Sequence, residues 1–329
     1  MISNIFYELP QKSWWQGRID GEDPLLLRIH QQVEIRELNA LSTIEGKKSV
    51  VIIGFASDEG VRRNQGRVGA ATGPYALRKA LSTLPVHYSQ QLQLLDTGNI
   101  ATINQDLEKA QHYLSEAISL ILQSKGFPIL LGGGHALLKG HYDGLCKGFK
   151  NQKIGIINFD AHFDLREVTK TGPNSGTALN EIAAASRVAG ATFHYLAIGI
   201  QRSSNSQWLF KEASKVGAQY IEAEQITPLN LPSICQEISH FAQQVDKLYL
   251  SIDLDVFSSA IAPGVSAPSA AGIFYDGNFK KLVSACFETK KVSAIDISEL
   301  NPLFDIDNRT AKLGAQIIFD SLLAIEENL

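Results

Sequence analysis

Eight short runs rich in β-branched residues or leucine recur along this chain, near 50–55, 91–96, 128–131, 154–159, 193–199, 219–222, 247–253 and 292–297. Between most of them lie segments whose apolar residues follow helical spacing, such as 106–122, 136–146, 232–244 and 279–288. Strands that alternate with helices in this way bury both faces only beneath helical layers. The pattern therefore predicts an α/β three-layer sandwich with a central, about eight-stranded, mostly parallel sheet flanked by helices. No Ser- or Pro-rich linker and no repeat interrupts the rhythm, so residues 46–329 are expected to form a single domain. Residues 1–45 lack the pattern and are expected to wrap over the body.

The bulk composition narrows the function. A 329-residue chain with 44% hydrophobic and 19% charged residues suits a compact core. A formal net charge of −4 gives no reason to expect nucleic acid or an anionic membrane as partner. No apolar run approaches the ~18 residues of a membrane span. The first residues include Glu8, Lys12 and Arg18 where a signal peptide needs an apolar stretch, so a cytoplasmic location is expected. Cys146, Cys235 and Cys286 are odd in number and widely spaced, which fits buried thiols in a reducing compartment.

Two acidic runs end apolar stretches: Phe159-Asp160-Ala161-His162-Phe163-Asp164 and Ser251-Ile252-Asp253-Leu254-Asp255. In extended backbone, residues two apart share a face. Asp160, His162 and Asp164 are thus expected to converge, with Asp253 and Asp255 facing them from another strand. Crowded carboxylates repel by roughly 4 kcal/mol per close pair at an effective dielectric near 20. One or two divalent cations remove that cost. Parallel sheets bind ligands beyond the carboxyl ends of their strands. His135, after the glycine run 132–134, and Glu299, after the strand near 292–297, belong to that same rim.

Four segments, GGGHALLKG, NFDAHFDLR, SIDLDVFSSAIAPGVSAP and AIDISELNP, stand in the order and spacing of the ureohydrolase superfamily, which the chain resembles from about residue 48 to its end. That superfamily includes arginases, agmatinases, guanidinobutyrases and formimidoylglutamases. The resemblance implies two Mn2+ ions per subunit. His135, Asp160, Asp164 and Asp253 would hold one; Asp160, His162, Asp253 and Asp255 would hold the other. A carboxylate-rich, thiolate-free set agrees with hard ions.

Departures from the wider superfamily point to one branch. Arginases and agmatinases carry a shuttle histidine after the first acidic motif, where this chain has Ser175 in Pro173-Asn174-Ser175-Gly176-Thr177. Formimidoylglutamases are similar to this chain there, in the entry at 15–20 and in the loop at 58–67. The branch implies hydrolysis of N-formimidoyl-L-glutamate to L-glutamate and formamide, a step of histidine degradation. Its substrate has two carboxylates and an amidinium, so cations are needed at the tail. Arg166, Arg202 and Arg63, with Asn64 in the same loop as Arg63, are the candidate substrate contacts. Glu299 would pair with the amidinium, and Asp164 would pass a proton to the departing nitrogen. Two other readings stand beside this one: urea release from guanidinobutyrate or agmatine, and a catalytically silent, metal-stabilised member. Relatives in the superfamily imply a homo-oligomer.

Overall fold

The structure, a computed structural model, describes residues 5–41 and 47–328. The expected boundary at 45/46 lies outside the described residues. Ten strands form one sheet: β1 (Tyr7–Glu8), β2 (Glu34–Ile35), β3 (Lys48–Ala56), β4 (Leu92–Ala101), β5 (Phe127–Leu131), β6 (Ile154–Phe159), β7 (His194–Ile200), β8 (Gln219–Glu222), β9 (Lys247–Asp253) and β10 (Val292–Ser298). Their order is β1-β4-β3-β5-β10-β9-β6-β7-β8, with β2 also on β4. Only β1 runs antiparallel to its neighbour among the described strand pairs.

The eight expected runs are β3 to β10. Strands buried on both faces need apolar residues at consecutive positions, and the core shows why. Val50 and Ile52 pack into one apolar cluster, Val51, Ile53 and Phe55 into the other. On the first face lie the helices Gly73–Ser82, Leu231–Gln243, Gly277–Glu288 and Arg309–Asn328, through residues such as Leu77, Ile238, Phe279 and Ile318. On the second lie Leu107–Gln123, Leu137–Gly148, Ala178–Val188 and Gln207–Val216, through Leu114, Leu138, Ile182 and Leu209.

The N-terminal segment does more than cover the body, because β1 and β2 extend the sheet along β4. Trp15 is buried and donates its indole N–H to Asp96 on β4 at 2.6 Å. The three cysteines are free; Cys286 is buried, but Cys146 is exposed on its helix, contrary to the expectation of a core position. Among the described residues no helix is long and apolar enough to cross a membrane.

Strands β5, β10, β9 and β6 are consecutive in space though far apart in sequence. Their carboxyl ends therefore bring residues near 132, 299, 253 and 160 to one rim. That arrangement follows from the connectivity: the chain leaves β5, skips two strand positions to β6, and fills the gap only at the end with β9 and β10.

Candidate metal centre and catalytic pocket

At the end of β5 the backbone turns through Gly132, Gly133 and Gly134 into the helix that starts at Leu137. The glycines serve close approach: a Cβ on Gly133 would stand 2.0 Å from the Ser57 carbonyl oxygen, which accepts the Gly134 N–H at 2.8 Å. This tight seat carries His135 inward, 1% exposed. Its Nδ1 lies 2.9 Å from Asp164 Oδ2, 3.2 Å from Asp160 Oδ2 and 3.2 Å from Asp253 Oδ2. His162 Nδ1 lies 3.1 Å from Asp255 Oδ2 and 3.4 Å from Asp160 Oδ1. Two ligand-sized groups result, His135 with Asp160 and Asp253, and Asp160 with His162 and Asp255, sharing Asp160.

The convergence expected from extended backbone is present, but the pleat does not produce it. Strand β6 ends at Phe159, before the first ligand, and Asp255 lies in a 3-10 turn, Leu254–Val256. Asp164 has φ +49° and Glu299 φ +65°, the left-handed region that side chains with a Cβ rarely occupy. Local hydrogen bonds brace the turns that leave β6 and β9: Asp160 accepts the His162 N–H at 2.6 Å, and Asp253 accepts the Asp255 N–H at 2.8 Å.

The electrostatics separate this cluster from an ordinary ion-pair network. Among the described residues, no lysine or arginine pairs with Asp160, Asp164, Asp253 or Asp255; the only basic groups within reach are the two histidines. Burial, together with Asp255 and Asp160, pushes Asp253 well above the usual carboxylate range. Burial and the Asp160 charge raise Asp164. Burial also works against ionised Asp160, yet the two imidazoles beside it, His135 and His162, hold it low. Burial opposes charging of His135 and His162, but the surrounding carboxylates raise both well above their ordinary value. Several polar atoms still find no hydrogen-bond partner: His135 Nδ1, Asp255 Oδ1 and Glu299 Oε2 are buried and unsatisfied. Three carboxylate oxygens around one imidazole nitrogen, without hydrogen-bond geometry, form a coordination-like arrangement. Oxygen and imidazole donors without thiolate fit hard divalent cations.

A cavity of about 200 Å³ opens over the cluster, lined by Val61, Asn64, Gly66, His135, His162, Asp164, Arg166, Ser175, Gly176, Leu209, Asp253, Asp255, Ser266, Ala267 and Glu299. Glu299 Oε1 accepts the His135 N–H at 2.6 Å, and burial pushes its carboxyl up to about 7. Arg166 is exposed at the rim; its only side-chain hydrogen bond among the described residues is a long one, 3.5 Å, to Asn64 Oδ1. Asn64 Nδ2 donates to Ser175 Oγ at 3.0 Å, so one amide joins two lining loops.

Arg63 and Arg202 do not line this cavity. The Arg63 guanidinium is taken up by Glu59 at 2.9 Å, Glu108 at 2.8 Å and the carbonyls of Pro173 and Gln105. Arg202 forms a two-point pair with Glu222, both bonds 2.6 Å. Both cations pair with protein carboxylates, so the structure does not bring them to the cavity beside Arg166. Sequence reasoning left Ser266, Ala267, Leu209 and Val61 unassigned. The first two fall inside the quoted SIDLDVFSSAIAPGVSAP segment, which was the available signal.

Comparisons with known proteins give the chain's relationships. The arginase family model matches residues 48–324. A formimidoylglutamase from Clostridium tetani is 40% identical over 322 residues, 96% of this chain and 95% of its own. One from Lysinibacillus sphaericus is 39% identical over 319 residues, 96% and 97% of the two chains. Among solved structures, the Trypanosoma cruzi formiminoglutamase with Mn2+2 superposes with a TM-score of 0.75 at 26% identity, over 88% of this chain and 98% of that one. With its parallel sheet, its acidic rim and near-full-length relatives, this chain belongs to the arginase family.

Proposed function

We propose that the chain hydrolyses N-formimidoyl-L-glutamate to L-glutamate and formamide, with two Mn2+ ions held by His135, Asp160, His162, Asp164, Asp253 and Asp255. One observation carries the substrate choice: a single cavity offers an unpartnered buried carboxylate oxygen, Glu299 Oε2, and a rim guanidinium, Arg166, outside any ion pair among the described residues. An amidinium and a carboxylate on one small molecule answer those two groups. The near-full-length likeness to formimidoylglutamases supports the same reading.

When bound, the two Mn2+ ions supply Lewis acidity and make a water nucleophilic near neutral pH. The chain's own residues do the rest. Glu299 pairs with the amidinium and fixes the formimidoyl carbon over the cluster; the positive charge of that partner favours the ionised carboxylate. Arg166, steadied by Asn64, takes a substrate carboxylate with its planar fork. Water oxygen bonds to the formimidoyl carbon, and the bond from that carbon to the glutamate nitrogen breaks. Asp164 carries one of the water's protons to the departing nitrogen, and the second, released as the formamide carbonyl forms, completes the ammonium of L-glutamate. Formamide and L-glutamate balance the reaction. The three free cysteines accord with a cytoplasmic enzyme, which we propose works as a homo-oligomer on this small molecule without nucleic acid.

The test is a product assay on purified protein reconstituted with Mn2+. Formamide and glutamate should appear together from N-formimidoyl-L-glutamate, with little urea from agmatine, guanidinobutyrate or arginine. Urea release without formamide overturns the reading; no product from any of them makes the chain a silent member.

A further inference from the structure

Behind the cluster, on the side away from the cavity lining, a chain of buried polar groups runs into the sheet. Ser251 and Asp296 are register partners across β9 and β10, and Tyr249 lies two residues before Ser251. All three are fully buried. Ser251 Oγ donates to Asp296 Oδ1 at 3.0 Å, and the Tyr249 hydroxyl donates to Asp296 Oδ2. His135 Nε2 lies 3.0 Å from the same Ser251 oxygen.

We propose that Asp296, acting through Ser251, is a positioning residue that fixes the tautomer of His135 and so sets cation affinity on the His135 side of the site. The inference rests on the metal site proposed above. Its logic is proton counting. A carboxylate accepts and does not donate, so it claims the one hydroxyl proton of Ser251. The serine oxygen is then left as an acceptor, and the donor across the 3.0 Å contact is His135 Nε2–H. A neutral imidazole with its proton on Nε2 presents a lone pair at Nδ1. That is the atom 2.9–3.2 Å from Asp164, Asp160 and Asp253. The opposite tautomer would aim an N–H at the cation.

The far end of the chain is closed. His141 is fully buried, packs with its ring centroid 4.4 Å from that of Tyr249 in a tilted contact, and stands 3.6 Å from Asp296 Oδ2, too far for a hydrogen bond. Burial keeps its imidazole below the ordinary value, so no charge there draws Asp296 away from Ser251. His162 has no such chain behind it among the described residues, and its side chain is 23% exposed. The device therefore serves one half of the site and not the other.

The experiment is Mn2+ titration of metal-free protein, followed by calorimetry and electron paramagnetic resonance, on wild type, Ser251→Ala and Asp296→Asn. Partners behind a ligating histidine are typically worth roughly 10–100-fold in metal affinity. Each variant should therefore lose ten-fold or more in affinity for one Mn2+ equivalent and keep the other. At one equivalent the spectrum should be that of isolated Mn2+. The melting temperature of metal-free Ser251→Ala should stay close to that of the metal-free wild type, and this variant decides the matter if Asp296→Asn does not fold. Wild-type affinity for both equivalents in Ser251→Ala overturns the proposal. Equal loss of both equivalents, with a falling metal-free melting temperature, also overturns it, since that marks a structural role. A wild type that never binds two ions refutes the metal reading instead.

Discussion

Two buried charge clusters among the described residues differ in kind: the one around Arg78 is complete within the polypeptide, and the acidic rim is not. Arg78, fully buried, meets both oxygens of Asp96 at 2.8 Å and gives its remaining N–H groups to Asn99 Oδ1 at 2.7 Å and the carbonyls of Gly98 at 2.8 Å and Pro74 at 3.4 Å. Trp15 adds a third donor to Asp96. Opposite charges, two-point geometry and satisfied lone pairs are what make a buried pair tolerable. The acidic rim inverts every one of these conditions. Its carboxylates crowd like charges, among the described residues their only basic partners are two histidines, and His135 Nδ1, Asp255 Oδ1 and Glu299 Oε2 go without hydrogen bonds. The first cluster ties the N-terminal segment to the sheet. The second is made of groups that something from outside the chain must satisfy, and that is the physical mark of a binding site.

The contrast should be visible in mutants. The largest effect is expected at the lock: Arg78→Met strands Asp96 in the core and should cost about 3–5 kcal/mol of stability in denaturant unfolding. Manganese uptake of the folded fraction should stay intact. If unfolding barely shifts, the lock is not what holds the segment down, and the contrast fails on that side. At the rim the order reverses. Glu299→Gln should leave folding and metal content nearly unchanged while lowering kcat/KM by roughly 100-fold, because a charge-assisted contact is lost. Loss of manganese or a much lower melting temperature would make Glu299 structural, like Asp96. The smallest effect is expected at the exposed rim cation. Arg166→Ala should reduce kcat/KM for N-formimidoyl-L-glutamate by about 2 kcal/mol in transition-state terms, roughly 30-fold. Arg166→Lys should recover only part, since a point charge does not reproduce two-point carboxylate binding. Unchanged kinetics in Arg166→Ala would remove that residue from the substrate contacts.

The sequence made the body of the sheet legible because strands buried on both faces need unbroken apolar runs, as in Val50–Phe55 or Ile154–Phe159. It hid β1 and β2, whose two residues each leave no pattern and pair only because Tyr7 and Glu34 reach β4. The rim residues were identifiable from residue type and spacing, yet the backbone that gathers them was not. Positive φ at Asp164 and Glu299 has no sequence signature, unlike a glycine. The arginines show the limit of charge reading. Glu59 stands four residues before Arg63 on a short helix, a pair that spacing could have suggested. Glu222 lies twenty residues beyond Arg202, at the end of the neighbouring strand, and only the fold brings them together. The polar chain through Ser251 and Asp296 was invisible for the same reason: it follows sheet register, not sequence distance.

The most direct test of the contrast between a self-sufficient cluster and one that needs external ions is metal stoichiometry. Wild-type protein stripped of metal, reconstituted with Mn2+ and freed of excess should hold two equivalents per chain by elemental analysis, in step with recovery of formamide release. A fully active preparation that never exceeds one equivalent would contradict the binuclear reading of His135, Asp160, His162, Asp164, Asp253 and Asp255.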